Sequence, residues 1–376
     1  MKKKLLYISS LFMIALSSCS QGTKQYNATS YTFNLASLGQ NVDFHTDLQR
    51  QYIEKVDYTS TSGIASGSSA KDAPLAINLS WEATPDKGNG SDYYMVDVFE
   101  GNDDYPLYSL KTYEDKLDIY NLKINTNYSY QVTACYENSS TKFTSEKSEF
   151  KTTDKGPRNL LINNVINVRD LGGHGIKQGL IYRSGRFNES DGTTKIDQTT
   201  IDIATKDLKI KTEIDLRRFE ENGNITASPL GESVNYHHLP MYYGGNNVLT
   251  YVGEHSGVTY DNPAQIKNFF ELLADERNYP VDFHCAIGKD RTGCMAYLVE
   301  ALCGMDEEYL YRDYLFSNFA KISGICEIAD IDDRYGATLK NYEGDTLQEK
   351  TFNYLENVIG VSKTNLETIQ DILIDK

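Results

Sequence analysis

Apolar and polar residues change their rhythm several times along the chain. Residues 20–70 are polar and keep no sustained period, and the Ser/Gly-rich piece TSTSGIASGSSAKDA, 59–73, reads as a flexible linker or loop. The stretch before it, YTFNLASLGQNVDFH, has strand character without a clear placement. From about 74 to 153 come short alternating runs: AINLSW, YYMVDVFE, LYSLKTYE, KLDIYNL, YSYQVTACY and SEFKT. PDKGNG, GNDDYP and NTN separate them as turns. Several short strands at this spacing predict an all-β sandwich, with Trp81 and Tyr128 as core packing residues.

After GPRN, 156–159, strands at 180–183, 210–216, 234–239 and 281–284 alternate with helical patterns. One helix begins near NPAQIKNFFELLADE, with Asn262 as cap and Pro263 at the first helical position. Others run over about 291–303, over DEEYLYRDYLFSN, and over TLQEKTFNYLENVIG with Gly360 as C-cap. A last helix, TNLETIQDIL, carries Leu366, Ile369 and Leu373 on one face. The alternation predicts an α/β domain with a largely parallel sheet flanked by helices. No repeat of solenoid period is present.

The chain's 376 residues leave room for two or three domains. A net charge of −16 argues against a broad nucleic-acid surface, which needs a Lys/Arg excess to displace counterions. It leaves open a small, locally positive pocket. The chain opens with Lys2, Lys3 and Lys4, continues with the apolar LLYISSLFMIAL, and reaches LSSC at Cys19. The order basic, apolar, small predicts a secretory signal over 1–18, too short to span a membrane comfortably. The cysteine after the small residues resembles a bacterial lipoprotein signal. That resemblance implies lipidation of Cys19, membrane attachment, and an exported cell-envelope lipoprotein, with Ser20 favouring the outer membrane over retention in the inner one. Losing three lysines and no acids with residues 1–18 would take the charge from −16 to −19. Five further cysteines, Cys135, Cys285, Cys294, Cys303 and Cys326, leave at least one free thiol in an exported chain. None has zinc-ligand spacing, and no metal or cofactor is implied. The expected organisation is therefore signal 1–18, tether and unplaced segment 19–73, β-sandwich 74–155 and α/β domain 156–376.

The chemistry concentrates in VDFHCAIGKDRTGCMAYLVEAL, 281–302. A short apolar strand delivers His284 and Cys285, and a loop then turns into a helix near Arg291. Backbone N–H groups of such a turn converge on one point, and the helix start adds unpaired donors and its positive dipole end. Ala286, Ile287, Gly288, Lys289, Asp290, Arg291 and Thr292 are thus expected to hold a tetrahedral anion. Gly288 permits an unusual backbone angle, and Gly293 lets the helix pack closely on the sheet. The same field lowers the Cys285 thiol toward a thiolate. Arg291 offers a planar fork to two phosphate oxygens, and Thr292 is placed to donate to the departing sulfur. His284 orients the loop through hydrogen bonds and is not assigned as a base. A nucleotide loop of the G-x-x-x-x-G-K-[ST] type fails, because Phe283 stands at the first glycine and Asp290 follows Lys289. Cys294, Cys303 and Cys326 read as helix-packing thiols.

HC, five residues and R resembles the signature of the cysteine-dependent tyrosine phosphatases. NVRDLGG (Asn167–Gly173), IYRSGRF (Ile181–Phe187), EIDLRRFEE (213–221) and DYLFSN (313–318) resemble a bacterial branch of that superfamily, one that also includes enzymes acting on phosphoinositides and on phosphoserine or phosphothreonine. The resemblance covers roughly 157–375. It implies phosphate-monoester hydrolysis through a phosphocysteine on Cys285, with Arg291 holding the phosphoryl oxygens and no metal. The substrate it implies is phosphotyrosine, another phosphoprotein, or a phosphoinositide or inositol phosphate. The alternative from another class is a non-catalytic surface lipoprotein that binds a phosphorylated ligand or a glycan. No WPD tripeptide is present, so the general acid is open between Asp290, inside the loop, and Asp215, at a strand end. Arg169 and Asp170 either form an ion pair that braces the loop or act directly, and Lys289 extends the positive charge toward lipid phosphates. MYYGGNNVLTYVGEHSGVTYDN, between Pro240 and Pro263, is either a mobile cover or a surface insertion. LKINTNY, Leu122–Tyr128, resembles the turn of fibronectin type III domains that sets a tyrosine hydroxyl on nearby backbone, with isoleucine where that family usually has proline.

Overall fold

The computed structural model describes residues 27–69, 72–187, 196–244 and 248–375; the expected leader and Cys19 lie outside them. The chain divides into two compact units. The first holds residues 27–44 and 75–154, and the second holds 45–74 and everything from 155 onward.

The first unit is all strand, in two sheets. Tyr31–Leu35, Ile77–Pro85 and Lys116–Ile119 form one. Gly39–Val42, Ser148–Thr152, Asn127–Tyr136, Tyr93–Glu100 and Tyr108–Thr112 form the other, with Ser139–Thr144 paired to Asn127–Tyr136. Period-2 burial brings Ile77, Leu79 and Trp81 of the first sheet into one core with Val96, Val98, Tyr130, Val132 and Phe150 of the second. The Tyr128 hydroxyl accepts the Lys123 N–H at 2.9 Å, five residues back, so the tyrosine locks the turn that precedes its own strand.

In the second unit a six-stranded sheet runs in the order Arg158–Asn159, Arg169–Asp170, Ile181–Ser184, Val281–His284, Thr212–Asp215, Asn235–His238. The last four are mutually parallel and the first two close the edge antiparallel, so the sheet is mixed. Strand alternation splits the neighbours between two cores. Ile181, Ile214, Val281 and Phe283 enter the large core under helices Asn262–Leu273, Asp290–Leu302 and Glu307–Phe316. Tyr182 enters a smaller one with Leu160, Leu208 and Val234. Helices Leu347–Tyr354 and Lys363–Leu373 complete the large core; Leu366, Ile369 and Leu373 are buried, and Gly360 ends its helix at φ 79°.

Two local expectations change. Asp261, not Asn262, caps the helix, its carboxylate accepting the Ala264 N–H at 3.0 Å. Asn262 instead turns inward and spans Tyr242 and Val248 carbonyls. Residues 45–69, grouped with the tether in the sequence reading, pack within the second unit. Helix Asp47–Ile53 buries Tyr52 and Ile53 in the large core, and the irregular stretch beyond it buries Thr61 and bonds Gly67 N–H to Asn318 O at 2.7 Å.

Candidate active site

The central strand Val281–His284 lies between two parallel neighbours, so its carboxyl end is where open sheets gather ligands. Cys285 follows it directly, 1% exposed, and helix Asp290–Leu302 begins five residues later. The loop between them is fixed from outside, carbonyl by carbonyl. His284 Nδ1 donates to Cys285 O at 3.3 Å, and the Arg186 Nη1 donates to Ala286 O at 3.3 Å. Asn167 Nδ2 donates to Ile287 O at 3.1 Å, and Arg183 Nη2 to Gly288 O at 2.7 Å. In a planar trans peptide the following N–H points opposite to the carbonyl. Four outward carbonyls therefore turn the N–H groups of 286–289 inward, toward the helix's first turn, whose N–H groups have no acceptor within the helix.

Gly288 sits at φ 71°, and a Cβ there would stand 2.6 Å from Ser184 O and 3.0 Å from Asn167 Nδ2. Gly288→Ala is expected to lower kcat/KM by on the order of 100-fold through loop displacement, with the fold kept, read by phosphate release alongside thermal unfolding. A Cβ on Gly293 would stand 2.8 Å from the Tyr314 ring of the next helix and 3.6 Å from Arg183 Nη2 of the sheet.

Charge organises around the sulfur. Burial pushes the Cys285 thiol up, but the Arg291 guanidinium and the hydroxyl and N–H of Thr292 outweigh it and leave the thiol below its ordinary value. Arg291 is 5% exposed. Its Nη1 donates to Glu221 Oε2 at 2.5 Å and to Leu216 O at 3.3 Å, while Nε has no acceptor among the described residues. Glu221, whose carboxyl burial would raise, is held down at about 2 by Arg291 and then Arg218. His284 resists the downward pull of burial because Asp215 and Glu213 lift it to about 9. As imidazolium it donates from Nε2 to Glu213 Oε1 at 2.9 Å as well as to the loop, the orienting role expected of it.

The two carboxyl groups weighed as proton donors differ sharply. Asp215 is fully buried and saturated: it accepts from Arg217 Nη2 at 2.7 Å, Tyr236 Oη at 2.9 Å and Asn222 Nδ2 at 3.0 Å. Burial is outweighed by His284 and Arg217, and its carboxyl lies far below the usual range. Asp290 is in the loop-helix junction with Oδ1 unbonded among the described residues. Burial raises its carboxyl, against the opposing pull of Lys289, Tyr243, Arg291 and Arg334. Tyr243, from the 240–263 insertion, is held beside it by Arg334. The described part of that insertion includes a hairpin, Val252–His255 with Val258–Asp261, and the Tyr242 ring lies tilted against His255 with centroids 4.6 Å apart.

Arg169 and Asp170 point to opposite faces of their short strand and do not pair with each other. Arg169 donates to Asp313 Oδ1 at 2.5 Å and to Asn167 Oδ1 at 2.6 Å; Asp170 pairs with Arg158 and accepts the Gly172 N–H at 2.7 Å. Both are buried braces. Lys289 Nζ donates to Ile325 O at 2.8 Å, and its charge also acts on the Asp290 carboxyl. Burial pushes Cys303 and Cys326 up to about 12 and Cys294 higher still, as packing thiols behave. Among the described residues no group of three His, Cys, Asp or Glu side chains is placed to hold a metal ion.

Asn167, Arg183, Arg186, Glu213, Glu221 and Asp313 had no role in the sequence reading. All six lie within its four companion strings, whose charged and amide residues turn out to be the struts of the loop.

A family model described as "Tyrosine phosphatase family" matches residues 160–375. Among solved structures, the chain is similar to the core catalytic domain of the PP-IP phosphatase SIW14 from S. cerevisiae, crystallised with citrate: 19% identity, 46% of this chain, 88% of that chain, TM-score 0.28. It is likewise similar to TpbA of P. aeruginosa: 20% identity, 50% of this chain, 92% of that chain, TM-score 0.31. A complex of TpbA with pTyr matches at 19% identity, 50% and 91% coverage, and TM-score 0.30.

Proposed function

The chain belongs to the tyrosine phosphatase family, and from that premise we propose that it hydrolyses phosphotyrosine in proteins through a phosphocysteine on Cys285. The Cys285 thiolate attacks phosphorus as the ester P–O bond breaks, and Asp290 gives its proton to the leaving oxygen. Water then attacks the phosphocysteine, Asp290 takes a proton from it, and phosphate leaves with the thiolate restored. Arg291 and the inward N–H groups carry the equatorial oxygens throughout, fixed before the reaction begins. The observation that carries this reading is the set of four bonded carbonyls, Cys285 to Gly288, which commits a ring of N–H donors to one point beside a lowered thiol.

The assignment of Asp290 over Asp215 rests on their surroundings. Asp215 spends its oxygens on Arg217, Tyr236 and Asn222 and is pulled far below its usual range, whereas Asp290 keeps Oδ1 unbonded among the described residues and is raised by burial, the direction a proton donor needs. Lipidation at Cys19 and an outer-membrane, cell-envelope location rest on the leader's order of basic, apolar and small residues before the cysteine. The first unit is read as fibronectin type III-like on the strength of its Tyr128 lock.

The test is phosphate release by the full chain from phosphotyrosine, phosphoserine and phosphothreonine peptides, inositol phosphates and phosphoinositides under reducing conditions. Phosphotyrosine peptides are expected to give the highest kcat/KM. Preference for an inositol compound would replace the substrate, and no release from any would remove the enzyme reading in favour of a binding protein.

A further inference from the structure

Asn167 reaches the catalytic loop from a strained position. Its backbone is left-handed, at φ 59°, a conformation asparagine tolerates better than most residues but does not prefer. Its side chain is fully committed: Nδ2 to Ile287 O at 3.1 Å and Ser317 Oγ at 3.3 Å, Oδ1 to Arg169 Nη1 at 2.6 Å. The remaining donor, its own N–H, is taken by a residue from a distant part of the chain. Asp72 Oδ2 accepts it at 2.5 Å.

Asp72 lies outside the matched region 160–375, in the stretch whose composition suggests a linker. It is nonetheless anchored on both sides. Its carbonyl accepts from Gln49 Nε2 at 3.1 Å and from Asn159 Nδ2 at 2.5 Å. Gln49 is itself set by a capping box, its Oε1 accepting the Thr46 N–H at 2.8 Å. Arg312 then ties the same stretch to helix Glu307–Phe316, donating to Tyr52 O at 2.9 Å and Lys55 O at 2.8 Å. Asn318 adds a bond to Thr61 Oγ1 at 2.8 Å. A loose tether would not make these contacts. A continuous line of bonds runs from Gln49 through Asp72 and Asn167 to the Ile287 carbonyl, and the peptide after that carbonyl supplies the Gly288 N–H to the phosphate site.

We propose that Asp72 is a positioning residue for the phosphate-binding loop, acting through Asn167 on the Ile287–Gly288 peptide, so that the polar stretch carrying it is part of the active-site scaffold. The proposal rests on the reading of the loop as a phosphate cradle beside a thiolate. Asp72 touches neither substrate nor sulfur; it fixes the left-handed turn that aims the Asn167 amide.

The test compares the full chain with Asp72→Ala and Asp72→Asn. Asparagine keeps an acceptor oxygen at the same reach, and alanine keeps none. Asp72→Ala is expected to lower kcat for p-nitrophenyl phosphate by roughly 10- to 100-fold, the scale of small misplacements at a reacting centre, with Asp72→Asn within about threefold of wild type. The second readout is the pH dependence of Cys285 alkylation by iodoacetamide, with and without inorganic phosphate as protectant. Asp72→Ala should shift the alkylation midpoint to higher pH and weaken protection by phosphate; Asp72→Asn should do neither. If alanine folds poorly, Asp72→Glu keeps the charge and displaces the acceptor by one methylene, and the proposal requires it to shift the midpoint too. An unchanged midpoint and unchanged protection in Asp72→Ala or Asp72→Glu overturns the role of Asp72. Wild type that hydrolyses nothing would overturn the phosphatase reading instead, while alkylation and phosphate protection still report the loop's geometry.

Discussion

Cys285→Ser is expected to lose phosphate release by on the order of 10⁴-fold or more, the scale seen when a catalytic nucleophile is removed, while still binding phosphorylated substrate. The donors that would hold the anion are independent of the sulfur: they belong to the backbone of 286–289 and to Arg291, and they are fixed by struts outside the loop. Serine keeps those and changes only the attacking atom. The field that ionises a thiol starting from its ordinary value cannot ionise an alcohol, whose proton is held far more tightly. The variant should therefore bind a phosphotyrosine peptide within about threefold of the wild-type Michaelis constant, an expectation that follows from the separation of binding and chemistry. Calorimetric titration with the peptide, paired with a phosphate-release assay, measures both. Turnover equal to wild type would exclude a phosphocysteine. The other thiols of the described residues sharpen the test: Cys135, Cys294, Cys303 and Cys326 are raised by burial, so among these five labelling at neutral pH should favour Cys285, and that label should vanish in the variant.

The parts of this molecule that were legible in the sequence are those written in local pattern. The strands ending at Ser184, Asp215, His238 and His284 were within one or two residues of their expected ends, because short apolar runs between turns have few other uses in an α/β chain. The loop itself was legible because backbone geometry demands glycine at 288 and the anion demands Arg291. What composition hid is action at a distance. Glu221 meets Arg291 across 70 residues, Arg183 meets Gly288 O across 105, and Asn167 meets Ile287 O across 120. The strings NVRDLGG, IYRSGRF and EIDLRRFEE mark the neighbourhood, but nothing in their local pattern says that their polar residues hold loop carbonyls and the guanidinium. Residues 45–69 misled because polarity signals solvent only when the polar groups lack partners. Here Arg312 and Asn318 supply them.

Asp290→Asn is expected to leave the attack step intact and remove protonation of the leaving group, so its cost should depend on what leaves. Phenolate from phenyl phosphate needs the proton and p-nitrophenolate hardly does. The loss should be on the order of 10²- to 10³-fold for the former and under about tenfold for the latter, within the range of general acid catalysis. The pH profile carries the sign. A general acid must be protonated, so wild-type kcat should fall as pH rises through the Asp290 carboxyl, which burial places above the ordinary carboxylate range. The acidic side is set by the thiol, which must be ionised and is lowered by Arg291 and Thr292. Asparagine should keep the acidic limb and flatten the alkaline one. Asp215→Asn separates the two carboxyl groups, because Asp215 spends its oxygens on Arg217, Asn222 and Tyr236 and helps hold His284 charged. Its loss should weaken the loop's support and affect both leaving groups alike. An Asp290→Asn enzyme equally slow on both esters, with the alkaline limb still in place, would move the acid elsewhere and leave Asp290 a residue of the loop's charge balance alone.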